Sequence, residues 1–478
     1  MELRFHKQTR QFKISRFCVS DATNLFPIGF IPILTPPGSP VVVGVPTMGA
    51  MGFVYDAVYV VVALVSSPLW GYRLWRTGKW RTDWHGRLGW VGPGHRNGRS
   101  TLLIHAVSVG EVNAVGALVR MLHQRCGGAI RIVVSTTTDT GTARARQLFE
   151  PTHQVVRYPL DWGFCVKRFL DTVRPDAVAL TELEVWPNFV AQCSRRGVPV
   201  CVINGRLSAR SFRWYRWVAK WVRPVFAKLT VVAAQTHPYA QRFVAMGVDA
   251  ERVRVFDSMK WDGVTVAPSG DGSGAVPGAE AMGMAMGIDR SRPVIVAGST
   301  GPGEEQMLID SCPTDAQLVL VPRRPERFDQ VASLRPGLVR RSQHPDGTAA
   351  SNTGSRLFLL DTIGELTKAY ALADIAVVGR SFMGQQHGSN PLEPVALGVP
   401  TLIGPHHDDF ADVVGSLQAA GGIVVTTRPG PAAVELLADK PRRDALVRGA
   451  RGVIVAHRGA TKQYADLLLE MLPSIGCR

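Results

Sequence analysis

STLLIHAVSVGEVNAVGALVRML, residues 100–122, decides the fold. A short apolar run of strand length ends in the small residues of "AVSVG". It gives way at once to a pattern in which Val115, Leu118, Val119 and Leu122 fall on one helical face. A strand feeding directly into a helix is the front of a βαβ unit. In open α/β sheets the carboxyl ends of such strands are where ligands sit. Glu111 stands at that mouth, so one reading gives its carboxylate a chemical task. The other is ordinary capping, because Ser108-Val-Gly-Glu111 has the S-x-x-E spacing of a capping box. On either reading the helix dipole is expected to keep Glu111 ionised at neutral pH.

The same alternation continues outward. "IRIVVST", "DAVALTE", "VPVCVING" and "TVVAAQ" read as strands, with helical "TARARQLF", "FCVKRFLDTVRP", "PNFVAQCSRRG" and "HPYAQRFVAMG" among them. Apolar, β-branched strands alternating with helices predict a parallel sheet covered on both faces. The pattern breaks at "APSGDGSGAVPGAEAMGMAMGIDRSR", whose composition reads as a flexible linker. A second series follows: "PVIVAGST", "QLVLVPR", "RLFLLD", "IAVVGRS", "PTLIGP" and "GIVVTT". The expected architecture is two Rossmann-like α/β domains, 73–262 and 291–478, joined by a 263–290 linker and separated by a ligand-binding cleft. A C-terminal helix is counted with the second domain.

Upstream, residues 1–47 are basic, lack periodicity and end in a proline-rich run, and are read as an extension that is disordered or not native. Residues 48–72 include "MGFVYDAVYVVVALVSSPLWGY", long enough to span a bilayer but carrying Asp56. Arg73, Arg76, Lys79 and Arg81 follow, placing the bulk of the chain on the cytoplasmic side. We expect an uncleaved membrane anchor here, with a buried amphipathic helix as the alternative. Met48 and Met51 stand where a chain starting at its anchor would begin.

The chain has 478 residues, 46% hydrophobic and 19% charged, so a large core is expected. A formal net charge of +16 favours anionic partners, namely nucleic acid, phospholipid or a phosphorylated substrate. The basic residues do not form the blocks of a nucleic-acid arm, which makes nucleic acid the weakest of the three. Seven scattered cysteines without a C-x-x-C pair point to neither a zinc site nor a disulfide framework, as in a reducing compartment.

Three stretches of the second half carry candidate chemistry. In "LFLLDTIGELTKAY" the backbone around Ile363, Gly364 and Glu365 opens a helix and offers N–H groups to an anion. The competing reading is another capping box, Thr362-x-x-Glu365. "LVLVPRRPERF" puts Arg323, Arg324 and Arg327 at a strand end, where a guanidinium can take two phosphate oxygens. Solvated surface charge is the competing reading, more for Arg324 and Arg327 than for Arg323. In "GSNPLEPVALGVP", Glu393 can accept both hydroxyls of a ribose, while Asn390 caps the helix or reaches the ligand. The aromatic, basic "FRWYRWVAKWVRP", with Arg213, Arg216, Lys220 and Arg223, suits headgroups or acceptor phosphates; core packing with snorkelling charges is the alternative.

Taken in order, "HAVSVGEVNA", "STTTDTGTARA", "TELEVWPN", "INGRLSARS", "GSTGPGEE", "PRRPERF", "DTIGELTKAYALADIAVVGRSF" and "NPLEPVALGVPTLIGPH" resemble the 3-deoxy-D-manno-octulosonic acid (Kdo) transferases of lipid A assembly. The resemblance runs from about residue 51 to the C-terminal helix. It implies a membrane-associated, inverting GT-B glycosyltransferase of lipopolysaccharide core synthesis, moving Kdo from CMP-Kdo to a lipid A precursor. The first half would bind the acceptor and the second the donor. The family's base maps onto Glu111 and a second acid of its E-x-E-x-W-P-N motif onto Glu184, while Ser108, Gly110, Glu182 and Arg206 fall on the acceptor side. Donor contacts map onto Ser299, Arg323, Ile363, Gly364, Glu365, Asn390 and Glu393, with Arg323 also stabilising the departing phosphate. No D-x-D motif lies near the donor site, so neither a catalytic metal nor a cofactor is expected.

The chain departs from the family pattern where Gly301 and Arg324 replace customary histidines and where His387 and Asn390 are spaced more widely. These departures bear on donor-site detail. A soluble sugar-nucleotide epimerase on the same fold and a non-catalytic envelope protein are the alternative readings.

Overall fold

The computed structural model describes residues 82–92, 94, 97–150, 152–264, 276–345, 354–384 and 386–473, with scattered positions between 55 and 72. The 1–47 extension, Met48, Met51 and most of the expected anchor lie outside the described residues.

Two parallel seven-stranded sheets form the molecule. The first has the order β3-β2-β1-β4-β5-β6-β7, with β1 Ser100–His105, β2 Ile130–Thr136, β3 Gln154–Arg157, β4 Ala177–Thr181, β5 Val200–Gly205, β6 Val231–Ala234 and β7 Val253–Val255. The second runs β10-β11-β9-β8-β12-β13-β14, with β8 Val294–Thr300, β9 Gln317–Pro322, β10 Val339–Arg340, β11 Leu357–Leu359, β12 Ile375–Val378, β13 Thr401–Ile403 and β14 Val424–Val425. Strands β1, β2, β4, β5 and β9 are almost wholly buried, which is why they read as continuous apolar runs. Strand order reverses between β1 and β4 in one sheet and between β8 and β12 in the other. The loops leaving those strands therefore flank the crevices where doubly wound sheets hold ligands.

The helix Val109–Cys126 is capped as its sequence predicts. Ser108 Oγ accepts the Glu111 N–H, and Gly127 ends the helix at φ +54°. Its buried face, Val112, Val115, Leu118, Val119 and Leu122, packs under the first sheet.

Two expectations about domain limits are corrected. Part of the expected 263–290 linker is a helix, Ala279–Met286, whose Ala279, Met282 and Met286 enter the second core beside Tyr370 and Leu372. Its Ala/Gly/Met composition suits close packing against a neighbouring helix as well as it suits a linker. Second, the C-terminal helix Ala460–Glu470 does not belong to the second domain. Tyr464, Ala465, Leu467 and Leu468 bury against the first domain beside Leu118 and Leu122, and Arg125 pairs with Asp466 at 2.6 Å. The chain thus crosses between domains twice, at adjacent places. Asp262 accepts the N–H groups of Gly459 and Thr461 at 2.8 and 2.6 Å, and Trp261 stacks on His457 with ring centroids 4.9 Å apart.

The described positions of the 48–72 segment are helical at Tyr55–Ala57, Tyr59, Val61, Leu64, Ser67 and Tyr72. Asp56 accepts from the Gly163 N–H at 3.0 Å and from Asn188 Nδ2 at 2.9 Å. The Tyr59 hydroxyl donates to Asp161, and Val61 and Leu64 are exposed. The acid that sat awkwardly in an apolar span thus fastens the segment to the first domain. Among the described residues no helix is long and apolar enough to cross a membrane.

Candidate active site

At the first switch point, three acids meet. Glu111 enters from the β1 loop; Glu182 and Glu184 come from the turn after β4. One Glu111 carboxylate oxygen accepts the Val107 N–H at 3.0 Å and the Thr181 hydroxyl at 2.7 Å, while the other accepts Ser108 Oγ at 2.9 Å. Capping and site are one arrangement: Ser108 caps the helix, and the Glu111 carboxylate folds back over the cap.

The expectation that Glu111 stays ionised at neutral pH is corrected. Burial, then the neighbouring Glu182 charge, raise its pKa to about 7, against the opposing pull of its three hydrogen bonds. The helix dipole is outweighed because water is largely excluded and a like charge stands close. Burial, then Glu111, raise Glu184 further, to about 8; it accepts from Trp186 Nε1 at 2.8 Å. Glu182 adopts φ +53°, a costly conformation for a non-glycine residue. Gly110 lies exposed in the first turn of the same helix.

Arg206, from the loop after β5, connects this cluster to the second domain. Its backbone N–H reaches the Glu182 carbonyl at 3.4 Å, and its guanidinium donates to the Asp408 carbonyl at 3.3 Å. Its own pKa is raised: burial opposes this, but Glu182, Tyr239 and Asp412 outweigh it. Nearby the Tyr239 hydroxyl donates to Asp412 across the same boundary. Asp408 in turn pairs with His387 at 3.2 Å, in the loop that carries Asn390. The acid cluster and the second domain's loops therefore share one cleft.

At the second switch point a buried carboxylate organises the loops. Glu304, fully buried, accepts four backbone N–H groups: Gly301, Arg380, Ser381 and Phe382, at 2.6 to 2.9 Å. Sequence reading passed over it; the signal was "GPGEE", two acids opening a helix behind a glycine turn. Ser299 and Arg380 both have positive φ, at +54° and +58°, so the loops around this carboxylate are held in strained shapes. Ser389 Oγ donates to the Ser299 carbonyl at 3.4 Å, tying the Asn390 loop to them.

Arg323 leaves β9 exposed, its N–H bonded to the Thr300 carbonyl at 3.0 Å. With Arg324 and Arg380 it forms a cationic cluster. Burial and then Arg323 depress the Arg380 guanidinium, while Arg323 also partly offsets the burial that raises Glu393. Arg380 is a member of this cluster that sequence reading missed. Arg327 is corrected: it is not solvated surface charge but grips the buried Glu305 through two bonds of 2.6 and 2.8 Å. Asn390 accepts the Leu392 N–H at 3.1 Å just ahead of the helix Leu392–Ala396, whose N-cap is Pro391, and donates to Glu393 at 3.5 Å.

The Thr362–Glu365 capping box does not form. The helix is Leu366–Ala371 and has no side-chain cap. Thr362 donates its hydroxyl to Glu365, whose carboxylate also takes Lys368 and Arg341; these partners outweigh burial and keep its pKa low. The Glu365 side chain is thus committed internally, while Ile363 and Gly364 are exposed, Gly364 at φ +89° with open space where a Cβ would lie.

Gly301 meets Gln386, on the loop that carries His387 and Asn390. Gln386 lies over Gly301, where any side chain would collide with its carboxamide, and donates to the Pro302 carbonyl at 3.2 Å.

Paired parallel domains around a shared cleft, with acids on one wall and guanidinium groups on the other, are a GT-B-like architecture. Residues 82–263 match the family model described as 3-Deoxy-D-manno-octulosonic-acid transferase (kdotransferase). The chain is 33% identical over 388 residues to the 3-deoxy-D-manno-octulosonic acid transferase of Bordetella pertussis, spanning 77% of this chain and 87% of that one. It is 31% identical to the Haemophilus influenzae enzyme, over 77% and 86%. HepE of Anabaena, solved in complex with UDP, shares the fold alone, with a TM-score of 0.52 at 15% identity over 78% of this chain and all of that one. This chain belongs to the Kdo transferase family.

Proposed function

We propose that the protein transfers Kdo from CMP-Kdo to a hydroxyl of a lipid A precursor such as lipid IVA, with inversion, at the cytoplasmic face of the inner membrane. Family membership supports the donor and the reaction. The observation that carries the mechanism is the cleft itself, in which Arg206 joins the Glu111–Glu182–Glu184 cluster to Asp408 of the second domain, and Asp408 pairs with His387 on the loop that bears Arg380 and Asn390.

Ionised Glu111 takes the proton of the acceptor hydroxyl as its oxygen attacks the anomeric carbon from the face opposite the phosphate. The bond from that carbon to the phosphate oxygen breaks, and CMP leaves with the electron pair. Arg323 and Arg380, with the N–H groups around Ile363 and Gly364, neutralise the leaving phosphate. A base whose pKa lies near 7 suits this role, since it is partly ionised at working pH yet basic enough to accept a proton. Glu184, protonated at neutral pH, donates to an acceptor or sugar oxygen, with Ser108, Gly110, Glu182 and Arg206 shaping the acceptor side. Glu393 accepts the ribose hydroxyls, with Asn390 and the Ser299 loop beside it.

The acceptor's home fits the outer face of the first domain. Phe212 and Tyr215 turn inward, while Trp214, Trp217 and Trp221 are 68%, 85% and 52% exposed among arginines and a lysine. Tyr55 of the upstream segment donates to the Trp221 carbonyl, so that segment joins the same face. Aromatic rings beside cations suit a headgroup layer. Incubation of the purified protein with lipid IVA and a CMP-Kdo-generating system tests the reading. The lipid product is expected to gain Kdo by mass; an unchanged lipid beside a proven donor supply overturns it.

A further inference from the structure

Thr181, the last residue of β4, is 1% exposed, and its hydroxyl oxygen stands 2.7 Å from Glu111 Oε2 and 2.7 Å from the His105 carbonyl oxygen. A hydroxyl has one proton to give. With Glu111 ionised, the hydroxyl donates to the carboxylate. With Glu111 protonated at Oε2, that O–H donates to Thr181, whose own proton turns to His105. Both states are satisfied without moving a heavy atom. The second carboxylate oxygen holds only Ser108 Oγ and so keeps a lone pair for the incoming alcohol.

We propose that Thr181 is a positioning residue for the base, its hydroxyl swinging between Glu111 and His105 as Glu111 changes protonation state while the carboxyl group stays in place. This rests on the reading of Glu111 as the base. In turnover the acceptor's O–H bond breaks and its proton is taken by Glu111 Oε1 while Thr181 goes on donating to Oε2; the turn towards His105 belongs to the state in which Oε2 itself carries the proton, and no proton leaves Thr181. The other groups facing Glu111 are accounted for. Glu182 and Glu184 stand on the β4 loop, with Arg206 beyond Glu182; His105, under the site, is fully buried and pushed down to about 3 by that burial. On the β2 side Thr138 donates to the Val107 carbonyl, while Asp139 is held by Arg157.

The pH dependence of kcat/KM in wild type, Thr181→Val, Thr181→Ser and Glu111→Gln, each with a thermal melt, tests this. Valine has threonine's shape but no donor for the ionised base. The acid limb is therefore expected to move up by about one pH unit, giving roughly tenfold less activity below the midpoint and a smaller loss well above it. Serine keeps the hydroxyl and is expected to keep the wild-type midpoint. An unmoved midpoint in Thr181→Val, or a Thr181→Ser midpoint displaced as far as valine's, overturns the proposal; if the valine protein does not fold, Thr181→Ala is judged by the same criteria. A Glu111→Gln enzyme retaining the wild-type acid limb overturns the base itself, a distinct failure.

Discussion

Glu184 keeps its proton to about pH 8 because it is buried beside Glu111 and Glu182. Its folded pKa thus lies above the ordinary carboxylate value of 4.5, so the folded state binds the extra proton and stability falls as pH rises between those values. Glu184→Gln removes the ionisation and keeps an acceptor for Trp186 Nε1. The variant is expected to melt like the wild type near pH 4 and to be more stable by on the order of 2 kcal/mol near pH 9. Chemical denaturation at the two pH values measures this; an equal difference at both would show that titration is not the cause. Residues of this kind were half legible. Glu111 and Glu184 could be named from the sequence because a helix start and a motif marked their places. Their protonation could not, because it depends on burial and on the meeting of Glu111 with the acids of the β4 turn, which come from different strands. Thr181 was invisible for the same reason, since its partner His105 lies 76 positions away, and the "GPGEE" of Glu304 says nothing of the loop 76–78 positions on that it binds.

Among elements, the long buried strands were readable because continuous apolar runs survive any context. The strands missed, β3 Gln154–Arg157, β7 Val253–Val255 and β10 Val339–Arg340, are short sheet-edge elements with exposed or charged positions. They exist because a neighbouring strand offers them a ladder, which local pattern does not record. The loops at the second switch point depend similarly on one group. Glu304 satisfies four N–H groups from two loops, so Glu304→Gln, with a single acceptor oxygen and an added donor pair, strands at least part of that set. A loss of roughly 2–4 kcal/mol is expected. Calorimetry would show it as a lowered second-domain transition, together with weakened CMP binding; a melt equal to wild type would contradict the role assigned to this carboxylate.

For the whole molecule, two sheets and an intervening cleft follow from the alternating pattern, but the return of the C-terminal helix to the first domain does not. Its apolar face, Tyr464, Ala465, Leu467 and Leu468, would fit either core, and only the crossover beside Asp262 decides. That double crossing makes the two domains mechanically dependent, with Arg206–Asp408 and Tyr239–Asp412 spanning the cleft they bound. In the proposed function labour is divided across that cleft: the first domain would activate the alcohol and the second would hold the nucleotide. Titration calorimetry with CMP, beside turnover by lipid mass, in Glu111→Gln and Arg323→Ala separates the two tasks. Glu111→Gln is expected to bind CMP like the wild type and to transfer Kdo at least about 10²-fold more slowly, while Arg323→Ala loses CMP affinity as well as rate. A Glu111→Gln enzyme turning over within a few-fold of wild type, with CMP binding intact, would contradict the account.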